Sequence, residues 1–349
     1  MAYITFQPSD YFNTVLWAGN GSAGRNITGV GFQPDWVWVK NRSRSSNHTV
    51  VDVLRGSGSY PMSTSSTSQQ DSGDTNQVSA LISDGFTIGS STNTNANGEN
   101  LVGWSWRAGG SGSSNSDGSI TSTVSANTTA GFSIVKWTGT EAAATVGHGL
   151  GAVPQVILVK AYDDSGGTDW IMYNENLGNT KNIRINTTDA QDTNNNAWNA
   201  TTPTSSVFSV GNFNDTNRSN GNIVAYCFTE KKGFSKFGIY TGNGVADGAF
   251  VYTGFKPAFL FVKEVSQSGE SWPVYDNTRS VANVTDEVLF ANANQQEEAN
   301  QSSKGIDFLS NGFKIRSTDA VLNDGEQYIY WAFAEEPLVA SNGDPATAR

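Results

Sequence analysis

Very few residues of this chain could serve as a nucleophile or a base near neutral pH. Among 349 residues there are two histidines and one cysteine. Acyl transfer by a Ser or Cys needs a base beside the nucleophile. His48 opens the short apolar stretch "HTVVD", at the place where two later parallel stretches begin with Trp170 and Trp272. A residue aligned with two tryptophans is expected to pack rather than to move protons. His148 lies in the glycine turn "VGHGLG" without a counterpart elsewhere, and reads as a lone pH-sensitive or purely structural turn residue. Cys227 sits in the apolar run "IVAYCF", where a small buried side chain is the ordinary reading. With one cysteine an internal disulfide is excluded. The chain has no G-x-S-x-G, no H-E-x-x-H, no paired cysteines and no P-loop. It is read as a non-enzyme.

Oxygen ligands are more plentiful. Glycoside hydrolysis would need two placed carboxylates. Asp52 and Asp276 hold matching places in the chain, but the third matching place is Asn174, which speaks against a required acid. Calcium could be held by Asp163, Asp164 and Asp169 in "DDSGGTD", or by the "DSGD" stretch at 71–74, although neither has the spacing of an EF-hand loop. No other cofactor is implied. A glycan needs aromatic platforms with amide or carboxylate neighbours. Tyr60 in "GSGSYPMS", and Trp198 with Asn195 in "TNNNAWNATTP", are the candidates, burial being the competing reading for both aromatics.

Composition narrows the partners. The formal net charge is −11, and the 21 Lys and Arg residues are scattered, so phosphate binding and a nucleic-acid partner are not expected. No apolar run reaches the length of a membrane span, and "MAYITFQPSDYF" lacks the layout of a signal peptide. Synthesis in a cytoplasm is expected. Ten Trp, 11 Tyr and 18 Phe argue for an ordered chain despite 37 glycines.

The elements that must position these residues announce themselves by repetition. "GFQPDWVWVK" (31–40) returns as "GAVPQVILVK" (151–160) and "GFKPAFLFVK" (254–263). An aromatic-x-Gly signal lies 17 residues before the proline each time: Trp17, Trp137 and Tyr240. Downstream come "HTVVD", "WIMYN" and "WPVYD", then "DGFTI", "SVFSV" and "NGFKI", and finally the aromatic strands "LVGWSW", "IVAYCF" and "YIYWAF". Within the phrase, Trp36 and Trp38 face one side and Val37 and Val39 the other. Both faces are apolar, so the strand must be covered on both. Short apolar runs separated by Gly, Asn and Ser predict an all-β protein. The expected architecture is three tandem antiparallel β-sandwich repeats, jelly-roll or concanavalin-like, of about 100 residues each. The units run 15–109, 131–232 and 233–337, with an N-terminal arm (1–14), a Gly/Ser-rich spacer (110–130) and a C-terminal tail (338–349). The lysine closing each phrase is expected to snorkel to solvent or a carboxylate. Unequal spacing of the prolines, 120 and then 103 residues, favours a linear array over a closed ring.

With that repeat in view, the chain resembles a family of virion proteins of marine bacteriophages, described as tail fibre-like or structural. The resemblance rests on "YFNTVLWAGNGS" with "ITGVGFQPDWVWVKNRS", on "DGSITSTVSANTTAGFSIVKWTG" with "ATVGHGLGAVPQVILVK", on "IRINTTDA", and on "FLSNGFKIR" with "YIYWAFAEEP". It covers nearly the whole chain and implies a virion setting, with no catalytic residues to carry over. On it rest the expectations of a tail fibre or adhesin that presents loops to a host-surface glycan, or else of a capsid decoration or head-fibre protein that binds only other virion proteins. Phe6, Tyr11 and Phe12 of the arm would then dock to the particle. A homo-oligomer is expected, a trimer first.

Overall fold

The alternating apolar stretches fold as strands, and helix is confined to a 3-10 turn at Pro8–Asp10 and, among the described residues, three helices of four residues. The computed structural model describes residues 7–56, 60–71 and 73–335, with strand backbone also at Leu338–Val339 and Pro345–Ala346. This is an all-β protein built of several antiparallel sheets.

One strand order recurs in three main sheets. The first runs Phe12–Ala18, Asn100–Trp106, Trp36–Asn41, Thr49–Asp52. The second contains Phe132–Thr138, Asn222–Phe228, Val156–Ala161, Ile171–Asn174, and the third Ser235–Thr241, Gln327–Ala334, Pro257–Glu264, Pro273–Asp276. Each phrase strand is therefore internal. A smaller sheet lies over each: Arg25–Thr28, Gly85–Ile88 and Val78–Ile82; Ala144–Gly147 and Val207–Val210; Phe250–Tyr252, Gly312–Ser317 and Lys304–Leu309.

The doubly apolar strands are covered on both faces, as their pattern requires. Val37 and Val39 join a core under the first small sheet, Ile157 and Val159 one under the second, and Leu260 and Val262 one under the third. The opposite faces meet one another. Trp36, Trp38, Val156, Leu158, Phe259 and Phe261 belong to a single core that draws on all three main sheets. Trp36 stacks on Tyr226 of the second sheet, and Phe12 on Phe333 of the third. The three sheets close around a shared aromatic centre, and the linear array expected from proline spacing is not formed. The spacing misled because loop length varies freely at the surface while the inward faces stay matched.

The aromatic-x-Gly signal has a packing reason. A Cβ on Gly19 would sit 2.0 Å from Ala96 O, and one on Gly139 2.2 Å from Arg218 O. The glycine lets the strand end press against the short helix that precedes the closing aromatic strand. Each of those helices ends in a wholly buried asparagine. The amide of Asn95 donates to Asn20 Oδ1, Ser22 O and Gly89 O, that of Asn217 to Thr140 Oγ1, Ala142 O and Gly211 O, and that of Asn323 to Asn243 Oδ1, Val245 O and Ser317 O. Removing such an amide would orphan buried polar groups, at about 1–3 kcal/mol each.

Two expected boundaries shift. Phe12 is no part of an arm: it begins the first strand, opposite Trp106, and is buried in the shared core. The spacer at 110–130 is structured as well. Ser113–Asn115 and Ser122–Asn127 extend one edge of the second main sheet, which Lys181–Arg184 and Asp192–Thr193 extend on the other to eight strands.

Candidate functional site

The side chains with chemical potential converge on the seams between the three main sheets. Lys40, Lys160 and Lys263 close their phrase strands and are fully buried, not reaching solvent as expected. Each ammonium donates to carbonyl oxygens of its own segment and of a loop from a neighbouring one. Lys40 Nζ reaches Asn41 O and Asn294 O, Lys160 Nζ reaches Thr168 O and Thr67 O, and Lys263 Nζ reaches Glu270 O and Thr188 O. The inward face of the strand leaves no path to water. Burial lowers all three to about 8.

The same loops dock through their backbones. Gln70 N donates to Tyr162 O, Gln191 N to Val265 O, and Glu297 N to Arg42 O. The first segment thus grips the second, the second the third, and the third the first. His48, Trp170 and Trp272 hold equivalent places in these seams. Trp170 Nε1 donates to Ser63 O, Trp272 Nε1 to Arg184 O, and His48 Nε2 lies 3.0 Å from Phe290 O. Trp38 Nε1 donates to His48 Nδ1 at 2.8 Å, so Nδ1 is the acceptor and Nε2 carries the proton. Burial first, and then the Lys40 charge, lower the imidazole to about 3. His48 packs, as its alignment with two tryptophans predicts, and it bonds across a seam as well.

A second layer of contacts involves the strand-end acids. Tyr226 Oη donates to Asp52 Oδ2 at 2.7 Å and Trp104 Nε1 to Asp276 Oδ2 at 3.0 Å, each across a seam. Arg55 and Arg279 pair with the same oxygens at 2.5 Å, all four side chains being buried. The other oxygens, Oδ1, accept from the turn that follows, through the amides of Leu54 and Arg55 or of Thr278 and Arg279. At the third place Asn174 Oδ1 keeps that turn bond, to Asn176 N. Leu177 stands where the arginines stand. Trp331, the counterpart of Trp104 and Tyr226, has no partner for Nε1, nor has Asn174 for Nδ2. These acids are occupied by arginine and aromatic donors, an arrangement for holding sheets together.

The residues read from the sequence as ligand sites are dispersed. Trp198 is a core residue: it packs edge-on to Tyr173, donates from Nε1 to Lys181 O, and offers no platform. The polar letters around it concealed an inward turn. Asn195 is exposed beside it. Tyr60 is half-buried with its ring over Gly56, in the first segment rather than near Trp198. Asp163 accepts from Asn222, Asp164 lies 3.5 Å from Arg218 Nε, and Asp169 binds Arg184 at 2.8 Å. These acids are turned towards cations and amides, and no group of three His, Cys, Asp or Glu side chains suited to a metal occurs among the described residues. Tyr11 packs edge-on to Phe234, and Phe6 lies outside the described residues. Cys227 is buried, its thiol pushed up by burial, and His148 is buried against Thr204 O.

Cavities at the surface include two without a cluster of reactive groups. One of about 320 Å³ is lined by Gly109, Ser111, Ser113, Asn115 and Val124, beside the strands of the spacer. Another of about 200 Å³ lies between Asn13 and Thr278 and holds Glu335, which is paired with Lys256. Neither is lined by His or Cys. Phe250 and Tyr252, outside every candidate site named from the sequence, are among the most exposed large apolar side chains. Their "FVY" alternation was the available signal.

A family model described as a domain of unknown function, DUF7483, matches residues 7–337. No curated protein and no solved structure matches the chain.

Proposed function

The chain belongs to the DUF7483 family, and for it we propose a non-enzymatic role as a structural protein of a phage virion, of the tail fibre or adhesin type, presenting its outer surface to a host glycan. Its three sequence units act as sandwich repeats, the first beginning at Phe12 and running to 109, the others at 131–232 and 233–337, with the 110–130 segment as an added edge. The observation that carries the reading is the use made of the reactive groups. His48, Cys227, the three lysines and the two Asp–Arg pairs are all buried, most of them in the seams, so contact with a partner falls to outward loops and sheet faces. The virion setting rests on the sequence resemblance. Calcium is not part of the proposal.

A capsid decoration role is favoured by one observation. The chain already gathers three sheets about one centre, a form able to sit on a particle lattice without a stalk. Immunogold labelling of purified particles separates the two readings. Label at tail tips or fibres is the expected result, label over the head supports decoration, and intact particles without label rule out both.

A further inference from the structure

We propose that the outer face of the third small sheet, around Phe250 and Tyr252, is a binding platform for a neutral oligosaccharide. This deepens the adhesin reading and rests on it. The strand Phe250–Tyr252 is an edge strand. Val251 points into the core, while Phe250 and Tyr252 point outward with 47% and 64% of their surface exposed. The fold does not require aromatics there. The corresponding strands place Asn26 and Thr28 around buried Ile27, and Thr145 and Gly147 around buried Val146, in the same register with the neighbouring strand. Two rings exposed at one of three equivalent places are unexplained by packing.

The surroundings specify the ligand. Glycines adjoin both rings: a Cβ on Gly312, in the neighbouring strand, would stand 3.1 Å from Phe250 Cε2, and one on Gly254, in the turn that follows, 3.5 Å from Tyr252 Oη. Register puts Lys314, Arg316 and Asp307 on the same face as the rings, Asp307 being buried there. Lys314 pairs with Asp247 at 2.8 Å, and Arg316 with Asp307 at 2.5 Å and Asp247 at 3.3 Å. Two cations and two carboxylates balance, leaving donors and acceptors without a net field. Apolar ring faces beside such a set suit the C–H face and the hydroxyls of an uncharged sugar. An anion would find its cations already paired. A second copy of the chain is a poor occupant. Stable protein interfaces bury roughly 1,200–2,000 Å², and two half-exposed rings bounded by ion pairs supply far less apolar surface.

The test is binding of the full chain to immobilised neutral and acidic oligosaccharides, with Phe250→Asn/Tyr252→Thr as the variant. That pair installs the residues of the first segment, and Tyr252→Ala serves as a lighter second variant. The expected result is binding to a neutral glycan, weakened about tenfold or more in both variants with an unchanged melting temperature. Equal binding by wild type and variants would overturn this site while leaving the adhesin reading intact. Binding of acidic glycans alone would overturn the ligand class. Absence of all glycan binding, in a chain that immunogold finds on tail fibres, would overturn the platform but not the location. A wild-type oligomer that the substitution turns into a monomer would reassign the face to copy–copy contact.

Discussion

Two of the three seams carry a buried carboxylate and arginine, and the third carries an amide and a leucine. Asp52 with Arg55 receives Tyr226, and Asp276 with Arg279 receives Trp104, whereas Asn174 and Leu177 receive nothing from Trp331. The backbone turn is the same in all three because Oδ1, common to Asp and Asn, makes it. What differs is Oδ2, an acceptor in the acid and an NH2 donor in the amide. The loops and lysines close every seam, so the ion pair is an addition to closure and not its condition. Buried ion pairs often give little net stability, yet breaking one by removing a single partner is costly. The comparison therefore teaches which seams are fragile to truncation of a side chain: the two charged ones, and not the neutral one.

Arg279→Ala should produce the largest change. It leaves Asp276 as a buried carboxylate without a cation and takes one of two arginines from Glu297, which keeps Arg42. A loss of about 3–5 kcal/mol in denaturant-induced unfolding is expected, and a loss under 1 kcal/mol would mean that the pair is not buried as described. At the neutral seam, Asn174→Asp should cost roughly 3 kcal/mol by adding an uncompensated charge. Asn174→Asp/Leu177→Arg should recover more than half of that, because the arginine gains an acid and Trp331 Nε1 gains an acceptor. No recovery would break the equivalence of the three places. The smallest effect is a pH dependence confined to one seam. His48 is held neutral, its value lowered to about 3 from an ordinary 6.5. Between those values the unfolded chain binds more protons than the folded one, so stability falls as pH drops through that window, by roughly 1.4 kcal/mol per unit at most. The equivalent residues Trp170 and Trp272 do not titrate. The difference in unfolding midpoint between wild type and His48→Gln should shrink from pH 7 to pH 4.5, and a constant difference would refute the assignment.

Much of the fold was legible because it is local. Period-two alternation fixed the phrase strand and both of its buried faces, and the threefold recurrence of Trp17, Trp137 and Tyr240 marked the units. Contacts between units left weaker marks. The three lysines looked like solvent-seeking strand ends, since nothing near Lys40 in the chain says that Asn294 O lies beside it. Trp198 sat among polar letters that described the surface of its turn and not the direction of its ring. Asn95, Asn217 and Asn323 were ordinary letters in an asparagine-rich sequence until their amides were seen to clamp three loops each. Phe250 and Tyr252 were passed over for the opposite reason: an apolar alternation reads as burial, and here its outer members stay in water.

The docking of residues 291–297 on the strand that ends at Asn41 joins positions about 250 apart in the chain. Equilibrium is little troubled, because the entropy of closing a long loop grows only logarithmically. Time is another matter. A ribosome adding about 5–20 residues each second releases Trp36, Trp38, Trp104 and Trp106 many seconds before the last sheet that covers them. Throughout that interval the nascent chain carries an uncovered aromatic face, the kind of surface that aggregates or recruits chaperones. The yield of this protein should thus depend on how promptly its C-terminal third is made.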